Sequence, residues 1–194
     1  MPIRKGEDWG TSGPLPDDAP EADSDAAVAA AVRGGSTHVR PLAGDLARTI
    51  GVSPASLARP VATLLPCDLV AVELDGTVAG MAAAHVRIGR HLRRGIAVMN
   101  AAFVGAWNVA PRAHPGDGKL DVAPFALGRV DWWKARRRLP SGAHVPHPQV
   151  EIRRHETFSI ELPEPAPVSI DGVAAGSARA VRCTIMPDAV ILGV

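Results

Sequence analysis

Two Asp-Gly dipeptides, Asp75-Gly76 and Asp171-Gly172, constrain this chain more than any other feature. The first follows the run Leu69-Val70-Ala71-Val72-Glu73-Leu74, and the second follows Pro167–Ile170. Asp-Gly between β-forming runs is a hairpin signal, because the tight turn needs residues that tolerate positive φ. Thr77–Ile88 then reads as the first return strand and Ser177–Met186 as the second, the latter alternating through Val181, Cys183 and Ile185. Gly95–Val104 is an apolar run of the buried kind. Val150–His155, Thr157–Leu162 and Ala189–Val194 add further strands, with Phe158, Ile160 and Leu162 alternating. Many short strands joined by hairpins predict a β-rich α+β chain built on an antiparallel sandwich or open barrel.

Helical signals gather before Asp68. Asp25–Arg33 is Ala-rich, with Ser24 or Asp23 to cap it and Gly34-Gly35 to end it. Pro41–Gly51 and Pro54–Leu65 read as short helices, the first with Leu42, Leu46 and Ile50 on one face. A later helix is predicted over Leu127–Leu139, with Leu127, Val130 and Trp133 on its packing face. The pattern divides the chain into an acidic, Pro-rich arm (1–25), a short helical segment (26–67) and a β domain (68–194). Pro14, Pro16 and Pro20 keep the arm irregular, and its carboxylates keep it solvated. Trp9 is the exception, since a Trp in such an arm usually docks on something.

At 194 residues, a single domain with a sizeable core is expected. Aromatic residues make up only 4% and Tyr is absent, so the core must rest on aliphatic side chains. Basic and acidic residues number 21 and 20, a net charge of +1, which speaks against a nucleic-acid partner. Cys67 and Cys183 stand alone and far apart, as in a reducing cytoplasm. Met1-Pro2-Ile3-Arg4-Lys5 does not open a signal peptide, and the longest stretches without charge, such as Gly95–Val109, are too short to span a bilayer.

The richest chemistry lies in the segment from Asn100 to Asp121, NAAFVGAWNVAPRAHPGDGKLD. Its loop suits a hard cation, with the Asp117 carboxylate and the carbonyls of His114 and Lys119 as donors. A plain Asp-Gly turn explains the same residues, with Asp117 bonding its own backbone. This segment resembles the N-G-x-x-x-G-G-x-x-x-A-P-x-A-x-x-x-D-G-x-L-D-V pattern of the diacylglycerol kinase, sphingosine kinase and bacterial lipid kinase superfamily. The resemblance runs from Leu69 to Val194, through Ser141-Gly142-Ala143-His144, VEIRRHETFSIEL and PVSIDGV. It implies the family's C-terminal β-sandwich-like domain and a structural Mg²⁺ or Ca²⁺ at Asp117. The lone cysteines and the clusters of basic residues add the expectation of a cytoplasmic protein with contact at the inner membrane surface.

Two departures bear on activity. The family's G-G-D-G-T phosphate loop is missing, although Pro41–Gly51 resembles the later P-x-G-T-x-N-D-x-A-R-x-L-G segment. That match makes Gly44, Asp45 and Arg48, with His144, candidate ligand or phosphate contacts. Asp45 and Arg48 read equally well as a surface i,i+3 pair. At the second turn the family has D-G-E, with the Glu as base, whereas this chain has Asp171-Gly172-Val173. Asp171 is left as the catalytic candidate, and turn formation is its simpler role.

The implied function is a degenerate lipid-kinase-like protein that binds a lipid or small phosphorylated ligand without independent kinase activity, so that ATP is not expected as its cofactor. The alternative is an active ATP-dependent lipid phosphotransferase with a rearranged nucleotide site. A homodimer, or a partner that supplies the nucleotide domain, would serve either reading. Arg87, Arg90, Arg93 and Arg94 form one basic cluster, and Lys134 with Arg136–Arg138 beside Trp132 and Trp133 forms another. They read as solvated surface or as contacts to an anionic membrane. His144-Val-Pro-His147 offers half a zinc site with no completing ligand at a usual spacing. No Gly-x-Ser-x-Gly, His-Glu-x-x-His or P-loop occurs.

Overall fold

Both Asp-Gly pairs turn the chain back on itself. Asp75 and Asp171 take φ of 50° and 47°, followed by Gly76 at 79° and Gly172 at 81°. The computed structural model describes residues 9–58, 61–143 and 151–194. In chain order the first elements are β1 (Thr11–Gly13), β2 (Glu21–Ala22), α1 (Asp25–Arg33), β3 (His38–Pro41), α2 (Asp45–Thr49) and α3 (Pro54–Leu57). The β region follows with β4 (Ala62–Leu74), β5 (Thr77–Ala82), β6 (His85–Ile88), β7 (Ile96–Met99), β8 (Phe103–Val104), β9 (Trp107–Asn108) and β10 (Leu120–Pro124). Helix α4 (Arg129–Arg138) precedes β11 (Arg153–His155), β12 (Thr157–Ile170) and β13 (Val173–Gly193).

The main sheet runs β1-β4-β13-β12-β6-β7-β10-β11, with β5 on β4 and the β2–β3 pair beside the end of β13. Its pairings are antiparallel except β3 with β13 and β2 with β3. The sheet curls over an aliphatic core drawn from both hairpins, including Val70, Val72, Val86, Val98, Leu120, Val181 and Cys183. Aliphatic side chains fill it, as the poverty in aromatics requires. The architecture is the β-rich, antiparallel, sandwich-like one expected. A second core packs Val28 of α1 and Leu46 of α2 against Val39, Leu69 and Leu192. A third lies under α4.

Several expectations change in detail. Residues 9–25 are not simply an irregular arm. Trp9 donates from Nε1 to the Pro66 carbonyl at 2.9 Å, and β1 and β2 pair with β4 and β3. Pro41–Gly51 is helical only from Asp45, because Pro41 closes β3. Pro54–Leu65 is helical for one turn, and Ala62 already belongs to β4. The two strands expected over 177–194 are one, β13, with a register shift between Met186 and Val190 where Asp188 takes φ of 52°. Helix α4 also packs on a different face. Trp132, Ala135 and Leu139 face the core, whereas Val130 and Trp133 point outward. Among the described residues no helix is long and apolar enough to cross a membrane.

Candidate functional site

The Asp171 turn carries a carboxylate that reaches back into the sheet. Its Oδ2 accepts the Ala83 N–H at 2.7 Å, and its Oδ1 accepts those of Ala84 and His85, each at 2.9 Å. The Asp171 N–H in turn donates to the His85 carbonyl at 2.9 Å. These bonds close the gap between β5 and β6, where the chain bends and its own ladder pairing stops. Asp75 does the same on a smaller scale, accepting from Arg179 and Ala180 at 3.0 and 2.8 Å. Both turns are pinned by their own Asp. Burial raises the Asp171 pKa, and the three N–H donors work against that rise.

Beside Asp171 lies a group of acidic side chains around one buried histidine. Asp25 sits at the start of α1 and accepts the Asp45 and Leu46 N–H groups at 2.7 and 2.9 Å, which caps α2. Gly44 makes this approach possible. It has φ of 112°, and a Cβ there would lie 2.4 Å from Asp25 Oδ1. Burial lifts the Asp25 pKa to about 6 in spite of the two donors. His85 Nδ1 lies 3.6 Å from Asp45 Oδ2 and has no hydrogen-bond partner among the described residues. Burial holds its pKa below the usual imidazole value.

Asp45 and Arg48 do not form a surface i,i+3 pair. They close on the same residue, Gly105, from its two ends. Both Asp45 carboxylate oxygens accept the Gly105 N–H at 2.9 Å, and Arg48 Nη1 donates to the Gly105 carbonyl at 2.8 Å. The Arg48 guanidinium also stacks 3.9 Å over the Phe103 ring. Thus the fold brings Gly44, Asp45 and Asp171 into one neighbourhood around His85, with Arg48 on its outer edge. His144 lies outside the described residues.

A groove of about 400 Å³ opens between α1 and the β12–β13 hairpin, lined in part by Ala29, Arg33, Gly80, Ile170, Asp171 and Val173. Its floor is small side chains, and Arg33 brings positive charge to it. Val173 is exposed where the family pattern has a Glu.

The Asp117 loop forms a second cluster. Asp117 Oδ1 accepts the Lys119 N–H at 3.0 Å, and Oδ2 pairs with Arg154 Nη2 at 3.1 Å. The His114 carbonyl accepts the Asp117 N–H at 3.3 Å, while the Lys119 ammonium pairs with Glu156. Asp121 Oδ1 lies 3.4 Å from Arg154 Nε. Asp68, fully buried, accepts from Gly118 at 2.7 Å and from Asp188 at 2.9 Å, and burial raises its pKa to about 6. Trp9 packs against His114 with the rings tilted, 4.4 Å between their centroids.

These donors fit a divalent ion poorly. One Asp117 oxygen is spent on the turn, and the other meets a guanidinium that any cation would have to displace. Among the described residues no three His, Cys, Asp or Glu side chains are placed to share a metal. Asn100 links the two clusters, its Nδ2 donating to the carbonyls of Asp68 and Ala83, both at 2.8 Å.

Asp25, Asp68, His85, Asn100 and Arg154 were not singled out in the sequence as site residues. Asp68 carries a signal that could have found it, a carboxylate set between Cys67 and Leu69 in an apolar run. Asn100 carries one too, as the first residue of the family segment. Arg154 carries none.

Known structures share this fold. A candidate diacylglycerol kinase from Bacillus anthracis str. Sterne superposes with a TM-score of 0.62 at 12% identity, over 89% of this chain and 75% of that one. A further structure from the same organism, of a diacylglycerol kinase, gives 0.58 at 12% identity, over 80% of this chain and 68% of that one. At these identities the likeness is one of fold. No curated protein sequence matches. Residues 52–194 match the model of the YegS C-terminal NAD kinase β-sandwich-like domain, and the chain belongs to that family.

Proposed function

We propose that this chain is a diacylglycerol-kinase-like binding protein that holds a lipid or small phosphorylated ligand in the groove beside Asp171 without transferring phosphate there. The observation that carries this reading is the state of the Asp171 turn. The aspartate carboxylate is committed to three backbone N–H groups, and the next candidate, Val173, has no group that can accept a proton. The small-residue lining admits an acyl chain or glycerol backbone, and Arg33 suits a phosphate.

A second reading, an active phosphotransferase with a nucleotide site near Gly44 and Asp45, draws support from Asp45, His85 and Asp171 lying together. A partner chain that supplies a nucleotide domain would serve this reading as well as the first. One experiment separates the two. Thermal unfolding is followed with soluble dihexanoyl phosphatidic acid and with dihexanoylglycerol, alongside transfer of labelled phosphate from Mg-ATP. Binding without catalysis predicts a midpoint raised by dihexanoyl phosphatidic acid, a smaller rise in Arg33→Ala, and no labelled product. Phosphorylated lipid from the wild type, absent with Asp171→Asn, refutes it.

A further inference from the structure

We propose that the outward face of α4, together with the turn at Leu92–Arg94, is a docking surface for an anionic lipid membrane. This goes beyond the groove and does not depend on what the groove holds. Helix α4 buries one stripe, with Trp132 stacked edge-on against Trp107 at 5.7 Å and Ala135 and Leu139 beneath it. At 3.6 residues per turn, the stripe directly opposite is Val130, Trp133 and Arg137. An ordinary surface helix is most polar there. Here Val130 is 65% exposed and Trp133 is 55% exposed.

The cations surround this apolar pair. Arg129, Lys134, Arg136 and Arg138 are all exposed on α4, and the Arg137 guanidinium lies 3.8 Å over the Trp133 ring. Asp131 is the acidic residue of the helix, with Lys134 at 3.9 Å. The second basic cluster is tied to the same place. The Leu127 N–H donates to the Arg93 carbonyl at 3.1 Å, and Arg93 Nη1 donates to the Leu127 carbonyl at 3.3 Å. Leu92 shares the core beneath α4, so exposed Arg90 and Arg94 sit at the head of the helix. Of the N-terminal carboxylates, Asp17, Asp18, Glu21 and Asp23 belong to the segment held by the pairing of β1 with β4 and β2 with β3.

A helix lying in a membrane interface has this composition: a few apolar and Trp side chains at the centre, with Lys and Arg all around them. A nucleic acid would take up the cations and leave Val130 and Trp133 in water. A bilayer takes both, the cations at the headgroups and the Trp at the acyl boundary. Because the whole chain carries only +1, the attraction is that of a patch and is screened by salt.

The test is flotation of the full chain with vesicles of phosphatidylcholine, with and without phosphatidylglycerol, at low and high salt. Binding to the anionic vesicles alone is expected, with loss at high salt. Arg136→Glu with Arg137→Glu lowers the partition about tenfold or more, since each cation near the surface counts for about a fivefold change. Trp133→Ser lowers it as well. Circular dichroism of both variants must match the wild type, and Arg179→Ala, an exposed cation of β13 away from the groove lining, serves as a basic-residue control that leaves flotation unchanged. No flotation at low salt, equal flotation with neutral vesicles, or flotation untouched by the Arg136/Arg137 and Trp133 variants overturns the proposal. Retention on an RNA column without flotation overturns it too.

Discussion

Replacing Asp171 asks whether its carboxylate is structural or free for chemistry. Asp171→Ala removes the acceptor of three N–H groups in the partly buried gap between β5 and β6. A hydrogen bond to a charged group contributes about 1.5–3 kcal/mol, and an orphaned donor costs about as much. Desolvation of the carboxylate, visible in its raised pKa, offsets part of the sum. Alanine also dislikes φ of 47°, by about 1 kcal/mol. The expected net loss is about 3–5 kcal/mol, a large part of a domain's ~5–15 kcal/mol. Asp171→Gly relieves the turn and recovers about 1 kcal/mol, which isolates the carboxylate's share. Asp75→Ala, with two acceptor bonds at an exposed turn, costs only about 1–2 kcal/mol. Urea unfolding by circular dichroism measures all three. An Asp171→Gly variant within about 1 kcal/mol of wild type refutes the reasoning, because the carboxylate would then carry no structural burden.

Three further outcomes follow from the polar clusters. Asp68 has a folded pKa of about 6 against an ordinary 3.8. Its folded form holds a proton more tightly than the unfolded chain, so its stabilising contribution is full below about 4 and fades as pH rises through about 6. The unfolding midpoint of wild type minus that of Asp68→Asn should therefore fall from pH 4 to pH 6; a difference that is flat or rises speaks against this burial. At the Asp117 loop, EDTA and excess Mg²⁺ should give equal unfolding midpoints, and Arg154→Ala should cost about 1–2 kcal/mol by leaving Asp117 and Asp121 without their cation. A midpoint raised by Mg²⁺ in the wild type would restore the divalent-ion reading.

The hairpins were legible in the sequence because Asp-Gly turns are local, as was α1, whose Ser24 cap accepts the Ala27 N–H as expected. The face of α4 was not legible. Its helical period places Val130 and Trp133 with Leu127 as readily as it places Trp132 with Ala135 and Leu139, and only the neighbouring core decides. The continuity of β13 was hidden by Pro187 and Asp188, which look like a break and act as a bulge. The candidate site was half legible. Asp171, Gly44 and Asp45 stand out as turn and motif residues, but the donors that occupy Asp171 lie 86 to 88 residues away. No spacing rule reaches that far. Arg154 faces Asp117 and Asp121 for the same reason: β11 pairs with β10 only in the folded sheet.

The central position of β13 has a consequence for how the molecule is made. This strand pairs with β12 on one side and with β4 and β3 on the other. During synthesis Leu74 waits for Val181, and Leu64 waits for Gly193. Until that strand emerges, β4 exposes an open edge rich in Val and Leu, with β5 and β1 its nearest cover. The sheet therefore closes late, around the strand translated after its partners, and the half-made chain is the form most in need of a chaperone.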